Sequence, residues 1–231
     1  MVLSLASLNL HCGLDHRGAP YSVKAAVAAL DTDVIVVQEN WRARGTESLA
    51  ASAAADCGYP CFAELDMVPD APLADLDVVD GAAPDEVGAW GLAVMSRVPW
   101  VSTTAIGIGT APGDVVGARS AQVIELPGLR VVNVHLTHRL LHGLGTAATP
   151  ARGPALVAGA HADRRGPEHV LSRRSTWPAG TGRAVRGRTW PAQRPVAQLD
   201  HVLLGAGVMA TGAEVGPNLG SDHLPVRLTI Q

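Results

Sequence analysis

Two stretches near the C-terminus hold residue types that can move a proton. Gln198-Leu199-Asp200-His201-Val202-Leu203-Leu204 is an apolar run interrupted by one aspartate, and Gly220-Ser221-Asp222-His223-Leu224-Pro225-Val226 sets an adjacent Asp-His pair in a Gly/Ser turn. A strand-end histidine whose ring is oriented by a carboxylate is what general acid–base chemistry requires, which nominates His223 with Asp200 as catalytic residues. Upstream, Asn9 ends Leu5-Ala6-Ser7-Leu8-Asn9, and Glu39 ends the β-branched run Asp33-Val34-Ile35-Val36-Val37-Gln38-Glu39. A hard divalent cation takes a carboxylate, neutral oxygens and retained waters, so Asn9 and Glu39 on neighbouring strands form the nucleus of a Mg2+ or Mn2+ site. His135 ends Val131-Val132-Asn133-Val134-His135, where its ring points into a cleft, and is a third catalytic candidate.

Those residues need strands to carry them. Apolar and β-branched runs predict strands near 2–10, 33–38, 90–96, 101–108, 118–126, 129–136, 155–159, 200–204, 208–214 and 223–230. Ala, Val and Leu recur at helical spacing near 21–30 and 46–57. Short strands with interspersed helices imply a layered α/β or α+β sandwich. His138, His142 and His161 are read as loop residues.

At 231 residues with 47% apolar content, the chain is long enough to bury a sizeable core, and it is read as a single domain over 1–231. Aromatic residues are only 3%, so that core must be mostly Ala, Val and Leu. No positively charged leader precedes the first strand, and no run of about 20 apolar residues occurs, so a soluble cytoplasmic protein without a membrane span is expected. Cys12, Cys57 and Cys61 are odd in number and lack metal-ligand spacing, which argues against a disulfide framework.

A net charge of −3 excludes a chain coated in positive charge for tight nonspecific DNA binding. Glu64, Asp66, Asp70, Asp75, Asp77, Asp80, Asp85 and Glu86 read as an exposed acidic loop. Arg164, Arg165, Arg173, Arg174, Arg183, Arg186, Arg188 and Arg194 form a basic stretch that either draws an anionic substrate or is a solvated face.

Together with Gly91-Leu92-Ala93-Val94-Met95-Ser96-Arg97, these runs in this order resemble the endonuclease/exonuclease/phosphatase superfamily, the metal-dependent phosphoesterases that include deoxyribonucleases, apurinic endonucleases, sphingomyelinases and inositol polyphosphate phosphatases. The resemblance implies an α+β fold, a four-layer α/β/β/α sandwich of two mixed β-sheets flanked by helices, with the site at one end of the paired sheets. It implies a divalent cation, Mg2+ or Mn2+, on Glu39 with Asn9 in support, and Asp222 as a further metal carboxylate. By resemblance His135 and His223 contact the scissile phosphate or transfer protons, Asp200 orients His223, and Arg119 binds substrate phosphate. Thr189-Trp190-Pro191 also resembles a recurrent family element and is read as a packing anchor. The implied substrate is a phosphoester, with nucleic acid among the candidates.

One segment departs from the pattern. Where the family places Gly-Asp-x-Asn, whose aspartate positions the attacking water and whose asparagine binds phosphate, this chain has Gly159-Ala160-His161-Ala162. Asp163, three residues beyond Ala160, is the nearest substitute carboxylate, and Leu141 to Gly153 is a Gly/Ala/Thr/Pro-rich loop where the family threads a helix. The alanines leave three readings open: an inactivated phosphoesterase, a catalytically silent phosphate- or metal-binding protein, and a biosynthetic enzyme reusing the scaffold for non-hydrolytic chemistry.

Overall fold

Alternation along a few strands builds the interior. The computed structural model describes residues 2–76, 84–110, 114, 116–137, 155–162 and 182–231, with only the chain path for 155–162. One sheet combines β1 (Leu3–Asn9), β2 (Val34–Ala43), β3 (Cys61–Pro72), β4 (Val87–Ser96), β11 (Ala210–Val215) and β12 (Val226–Ile230) in the order β11-β12-β1-β2-β4-β3. The other combines β5 (Ser102–Thr110), β6 (Ala118–Leu126), β7 (Leu129–Thr137), β8 (Ala155–Ala162), β9 (Gly182–Arg183) and β10 (His201–Leu204) in the order β5-β6-β7-β8-β10-β9. The β1/β2 and β7/β8 pairs are parallel and the remaining pairs antiparallel, so both sheets are mixed.

Side chains two apart share a face of a strand. Leu3, Leu5, Val34, Val36 and Val94 of the first sheet pack on Ile124, Leu126, Leu129, Val131 and Val202 of the second, filling the space between the sheets. The alternate residues Ala6, Leu8, Ile35, Val37, Ala93 and Met95 meet Val23, Val27 and Leu30 of α1 (Val23–Leu30) and Ala50, Ala53 and Ala54 of α2 (Leu49–Asp56). Ser22 and Ser48 cap these helices by accepting from Ala25 N and Ala51 N. Among the described residues the helical layer stands on this side alone. The outer face of the second sheet carries a smaller cluster of Ala121, Val123, Val132, Val134 and Leu136.

The inner stripes change character along the strands. Leu3 and Leu5 give way to Ser7 and Asn9, Val34 and Val36 to Gln38, and Val131 to Asn133 and His135. Asn133 Nδ2 donates to Val37 O (3.0 Å), Ala93 O (3.1 Å) and Gln122 Oε1 (3.3 Å), and its Oδ1 accepts from Gln38 Nε2 (2.8 Å). Gln38 Nε2 also reaches Ser7 Oγ (3.2 Å), and Gln122 Nε2 donates to Ala63 O (3.0 Å). This amide layer joins the sheets between the apolar core and the polar end.

Several expectations need correction. The acidic stretch is not a loop throughout: Glu64, Asp66 and Asp70 lie on β3, where Arg42 pairs with Glu64 and Asp66, and Arg44 with Asp70. The chain between Gly216 and Pro225 is irregular, so the last strand starts at Val226 instead of 223, and β8 continues to 162, which puts His161 on a strand. Cys12, Cys57 and Cys61 are free. No described helix is long and apolar enough to cross a membrane. His138, His142, the Leu141 to Gly153 segment, Asp163 and Arg164, Arg165, Arg173 and Arg174 lie outside the described residues.

Asn133→Ala should remove the hydrogen bond from Gln38 and the side-chain donor to Val37 O, Ala93 O and Gln122 Oε1. At about 1–3 kcal/mol for each buried group left unsatisfied, urea unfolding should report a loss of at least about 2 kcal/mol. Adding Gln38→Ala should cost less than the sum of the two single changes, because the pair shares one bond. Full additivity would show that the amide layer is not cooperative.

Candidate active site

Glu39 reaches the space between the sheets against the strand period. Its neighbours Ile35 and Val37 face the helices, and a residue at 39 in regular register would follow them. The β2/β4 register instead shifts between Gln38 and Asn40, and Glu39 adopts φ 53°, in the left-handed region. The bulge turns Glu39 inward and sends Asn40 to the helix side, where its Oδ1 accepts from Ala50 N. Asn9 Nδ2 donates to Glu39 Oε1 (2.8 Å) while its Oδ1 accepts from His11 N (2.8 Å). Asn9 thus orients the carboxylate with both amide atoms engaged. Glu39 Oε2 is buried without a hydrogen-bond partner.

His135, from β7, brings Nε2 to 3.2 Å from Glu39 Oε1, a close electrostatic contact outside good hydrogen-bond alignment. Burial pushes the imidazole pKa down, against the pull of Glu39. Burial alone would raise the Glu39 carboxyl, yet the contacts with His135, His11 and Asn9 outweigh it and hold the group down at about 2. Glu39 is therefore the carboxylate of the pair, while burial and the neighbouring Arg119 guanidinium hold the His135 pKa down. Arg119 is 3% exposed and is bound by Asp114 and His135, so its guanidinium lies behind His135 and not on an open phosphate-binding surface.

The C-terminal turn arrives through Ser221, whose Oγ donates to Asn9 O (2.7 Å) and accepts from His223 N (3.1 Å). That anchor ties the histidine to the end of β1. His223 Nδ1 lies 2.8 Å from Asp200 Oδ2, as the sequence suggested. Asp200 immediately precedes β10 and is fully buried, its backbone N–H donating to Thr189 Oγ1. Asp222 Oδ1 stands 4.0 Å from His223 Nε2 and 3.5 Å from His11 Nδ1, and Trp190 Nε1 donates to Asp222 Oδ2 (3.0 Å). Thr189 and Trp190 therefore position the two carboxylates beside His223, beyond the packing role expected of them. Burial opposes charge on His223, but Asp200, Asp222 and Glu39 prevail and push its pKa up to about 10. The three carboxylates thus favour the protonated ring at neutral pH.

Sequence reasoning passed over His11 and Trp90. His11 Nδ1 donates to Leu14 O (2.9 Å), with His11 and Cys12 both in the left-handed region at φ 48° and 52°. Its signal was its place two residues after Asn9. The Cys12 thiol is pushed up by burial first and then by Glu39 and Asp222, and stays protonated. Trp90 packs edge-on to His135 with ring centroids 5.2 Å apart. A tryptophan between Ala89 and Gly91 inside an apolar run, in a chain so poor in aromatics, was the available sign. In the β7/β8 register Ala160 lies beside His135 and Ala162 beside Thr137, while Gly159 pairs with His201, next to Asp200. The two alanine positions thus fall on the strand between the two histidine arms. Among the described residues, no three His, Cys, Asp or Glu side chains are grouped closely enough to hold one metal ion.

The charge on His223 has a measurable consequence. Its folded-state pKa lies above the ordinary 6.5, so its stabilising contribution is complete below about pH 6.5 and is lost as pH rises toward 10. The difference in unfolding free energy between the protein and His223→Gln should shrink steadily across that window. A difference that is constant with pH would show the ring to be neutral in the folded state.

A sequence profile of the Endonuclease/Exonuclease/phosphatase family matches residues 6–223. No curated protein is matched by the sequence. Among solved structures, the fold is similar to an endonuclease/exonuclease/phosphatase from Beutenbergia cavernae DSM 12333, with TM-score 0.68 and 20% identity over 100% of this chain and 71% of that one. It is also similar to D. rerio TDP2 complexed with single strand DNA product, at TM-score 0.62 and 15% identity over 100% and 99% of the two chains. A mannosyl-6-phosphatase from Bacteroides thetaiotaomicron VPI-5482 follows at TM-score 0.57 and 12% identity, covering 99% of each. At such identities these structures speak to fold. Taken with a profile match that runs from β1 to His223, they lead to one assignment: the chain belongs to the endonuclease/exonuclease/phosphatase family.

Proposed function

We propose that the protein is a divalent-metal-dependent phosphoesterase of nuclease or phosphatase type, attenuated because Ala160 and Ala162 stand where the family carries its water-positioning aspartate and phosphate-binding asparagine. The observation that carries this reading is the convergence of Glu39, His135 and the Asp200–His223 pair at one end of the sheet interface. Members of the family that resemble this fold act on different esters: one similar structure holds a single strand DNA product and another is a mannosyl-6-phosphatase.

Glu39 fits a hard cation. Its carboxylate is buried, is contacted by a neutral amide and a neutral imidazole, and keeps Oε2 without a partner. Mg2+ and Mn2+ accept one or two carboxylates and retain waters, so a site with few protein ligands suits them. When bound, such a cation stabilises charge on the phosphoryl oxygens. Asn9 holds Glu39 in place, and Asp222 lines the same region through Cys12, whose thiol feels both acids. The cationic His223, steadied by Asp200 through Nδ1, offers Nε2–H to a phosphate oxygen or a departing alkoxide. His135 keeps its buried Nε2 against Glu39 Oε1 and steadies the same carboxylate oxygen that Asn9 holds. The alanines favour one alternative, a silent phosphate- or metal-binding protein.

Two experiments separate these readings. Mg2+ or Mn2+ at about a hundredfold excess over Kd should raise the melting temperature by about 5–10 °C, and Glu39→Gln should remove the shift while leaving the fold intact. An unchanged shift in the variant would show Glu39 not to be the ligand. Hydrolysis of a chromogenic phosphodiester, measured with the same cation, should be slow for the natural sequence and about 10²–10⁴ faster for Ala160→Asp combined with Ala162→Asn. Each single change should recover far less, since the two groups act together. A folded, metal-binding double variant without gain would overturn the phosphoesterase reading in favour of a silent binding protein or a biosynthetic enzyme reusing the scaffold.

A further inference from the structure

We propose that Arg119, clamped by Asp114, is a positioning residue that fixes the ring orientation and tautomer of His135, so that His135 presents Nε2–H as a hydrogen-bond donor to the site. The proposal deepens the phosphoesterase reading and rests on it for the use to which that donor is put.

A guanidinium has N–H groups on all three nitrogens and no acceptor. Arg119 NH1 lies 2.8 Å from His135 Nδ1, so Nδ1 supplies a lone pair and the ring proton sits on Nε2. The same NH1 donates to His135 O at 3.0 Å, gripping backbone and ring together. On the opposite edge of the ring, Nε2 faces the anionic Glu39 Oε1 at 3.2 Å, where a proton is favoured and a lone pair is not.

The guanidinium is itself fixed. Asp114 accepts from Nε at 2.7 Å and from NH2 at 3.1 Å, the two-pronged geometry that specifies direction as well as attraction. Both side chains are 3% exposed. Trp90 closes the assembly, its ring 5.7 Å from the Arg119 guanidinium carbon and edge-on to His135. Such a buried, fully engaged arginine is poorly placed to meet substrate and well placed to hold its neighbour.

The contrast with His223 gives the arrangement its meaning. There the Nδ1 partner is a carboxylate, Asp200, which accepts a proton. Here it is a guanidinium, which can only give one. The two histidines of the site are wired in opposite senses: His223 carries a proton that can leave, and His135 is a fixed neutral donor.

The test is long-range proton–nitrogen correlation on protein labelled with 15N-histidine, run beside titration with inorganic phosphate in the presence of Mg2+. His135 should show the Nε2-protonated tautomer in the natural protein. Arg119→Met should convert it to a mixture or to the Nδ1-protonated form and weaken phosphate binding about two- to tenfold, the worth of one hydrogen bond. Arg119→Lys, which keeps a donor, should retain the tautomer, and Asp114→Asn should loosen it. A His135 found with its proton on Nδ1 in the natural protein would overturn the proposal, as would a ring still wholly Nε2-protonated in Arg119→Met, because Glu39 alone would then be holding the tautomer. If Arg119→Met fails to fold, the natural protein and Arg119→Lys still decide, since loss of the Nε2 tautomer in either contradicts the clamp. Retention of the tautomer with no phosphate binding by the natural protein would support the clamp while removing the phosphoesterase reading of the site.

Discussion

The hydrogen bond from Gln38 to Asn133, 2.8 Å long and buried between the sheets, sets the alignment on which the rest of the site depends. Each of its residues stands close in sequence to a site residue on the same strand: Glu39 follows Gln38, and His135 lies two positions beyond Asn133. Apolar contacts fix the spacing of two sheets but tolerate sliding, since burial has no direction. An amide in a dry interior does have direction, because its donors and acceptor must all find partners. Asn133 finds them on β2, β4 and β6 at once, and the sliding freedom is removed. Glu39 and His135 then meet because their strands have no other register to occupy.

Beyond that layer the site is built from two arms of different origin. The first is held by residues of β1, β2, β6 and β7, with Asn9 behind Glu39 and Arg119 behind His135. The second comes from the C-terminal turn, with Asp200 behind His223 and Trp190 behind Asp222. Ser221 links them by one hydrogen bond to the backbone of Asn9. In each arm a buried polar group orients the group that faces the site, so most of the polar side chains here act through a neighbour.

Much of this was legible because the inner stripes of the strands are clean. Leu3, Leu5, Ser7 and Asn9 or Val131, Asn133 and His135 show both the face and the point at which it turns polar. The pairing of Asp200 with His223 could be read from an acid inside an apolar run and a histidine in a turn. β3 was missed for a physical reason: its residues are partly exposed on both faces, and its acids serve Arg42 and Arg44, so no alternation marks it. Arg119 looked available for substrate because sequence carries no information on Asp114 folding back five residues to hold it. Glu39 turns inward for a reason the sequence hides, since a bulge leaves no trace in composition. Gly91 offers a parallel case, because a Cβ there would lie 2.0 Å from Leu65 O, a requirement visible only once β3 and β4 are side by side.

The bulge at Glu39 also bears on how this scaffold can be altered. A non-glycine residue at φ 53° sits in strained backbone, at about 1–3 kcal/mol. An engineer idealising β2 by deleting one residue or straightening the pairing would gain sheet regularity and improve thermal tolerance. The same edit would rotate the carboxylate half a turn into the layer of Ala and Leu beneath the helices. Robustness and competence are opposed at this one backbone torsion, so stabilising designs for this chain should begin elsewhere and leave the irregular strand alone.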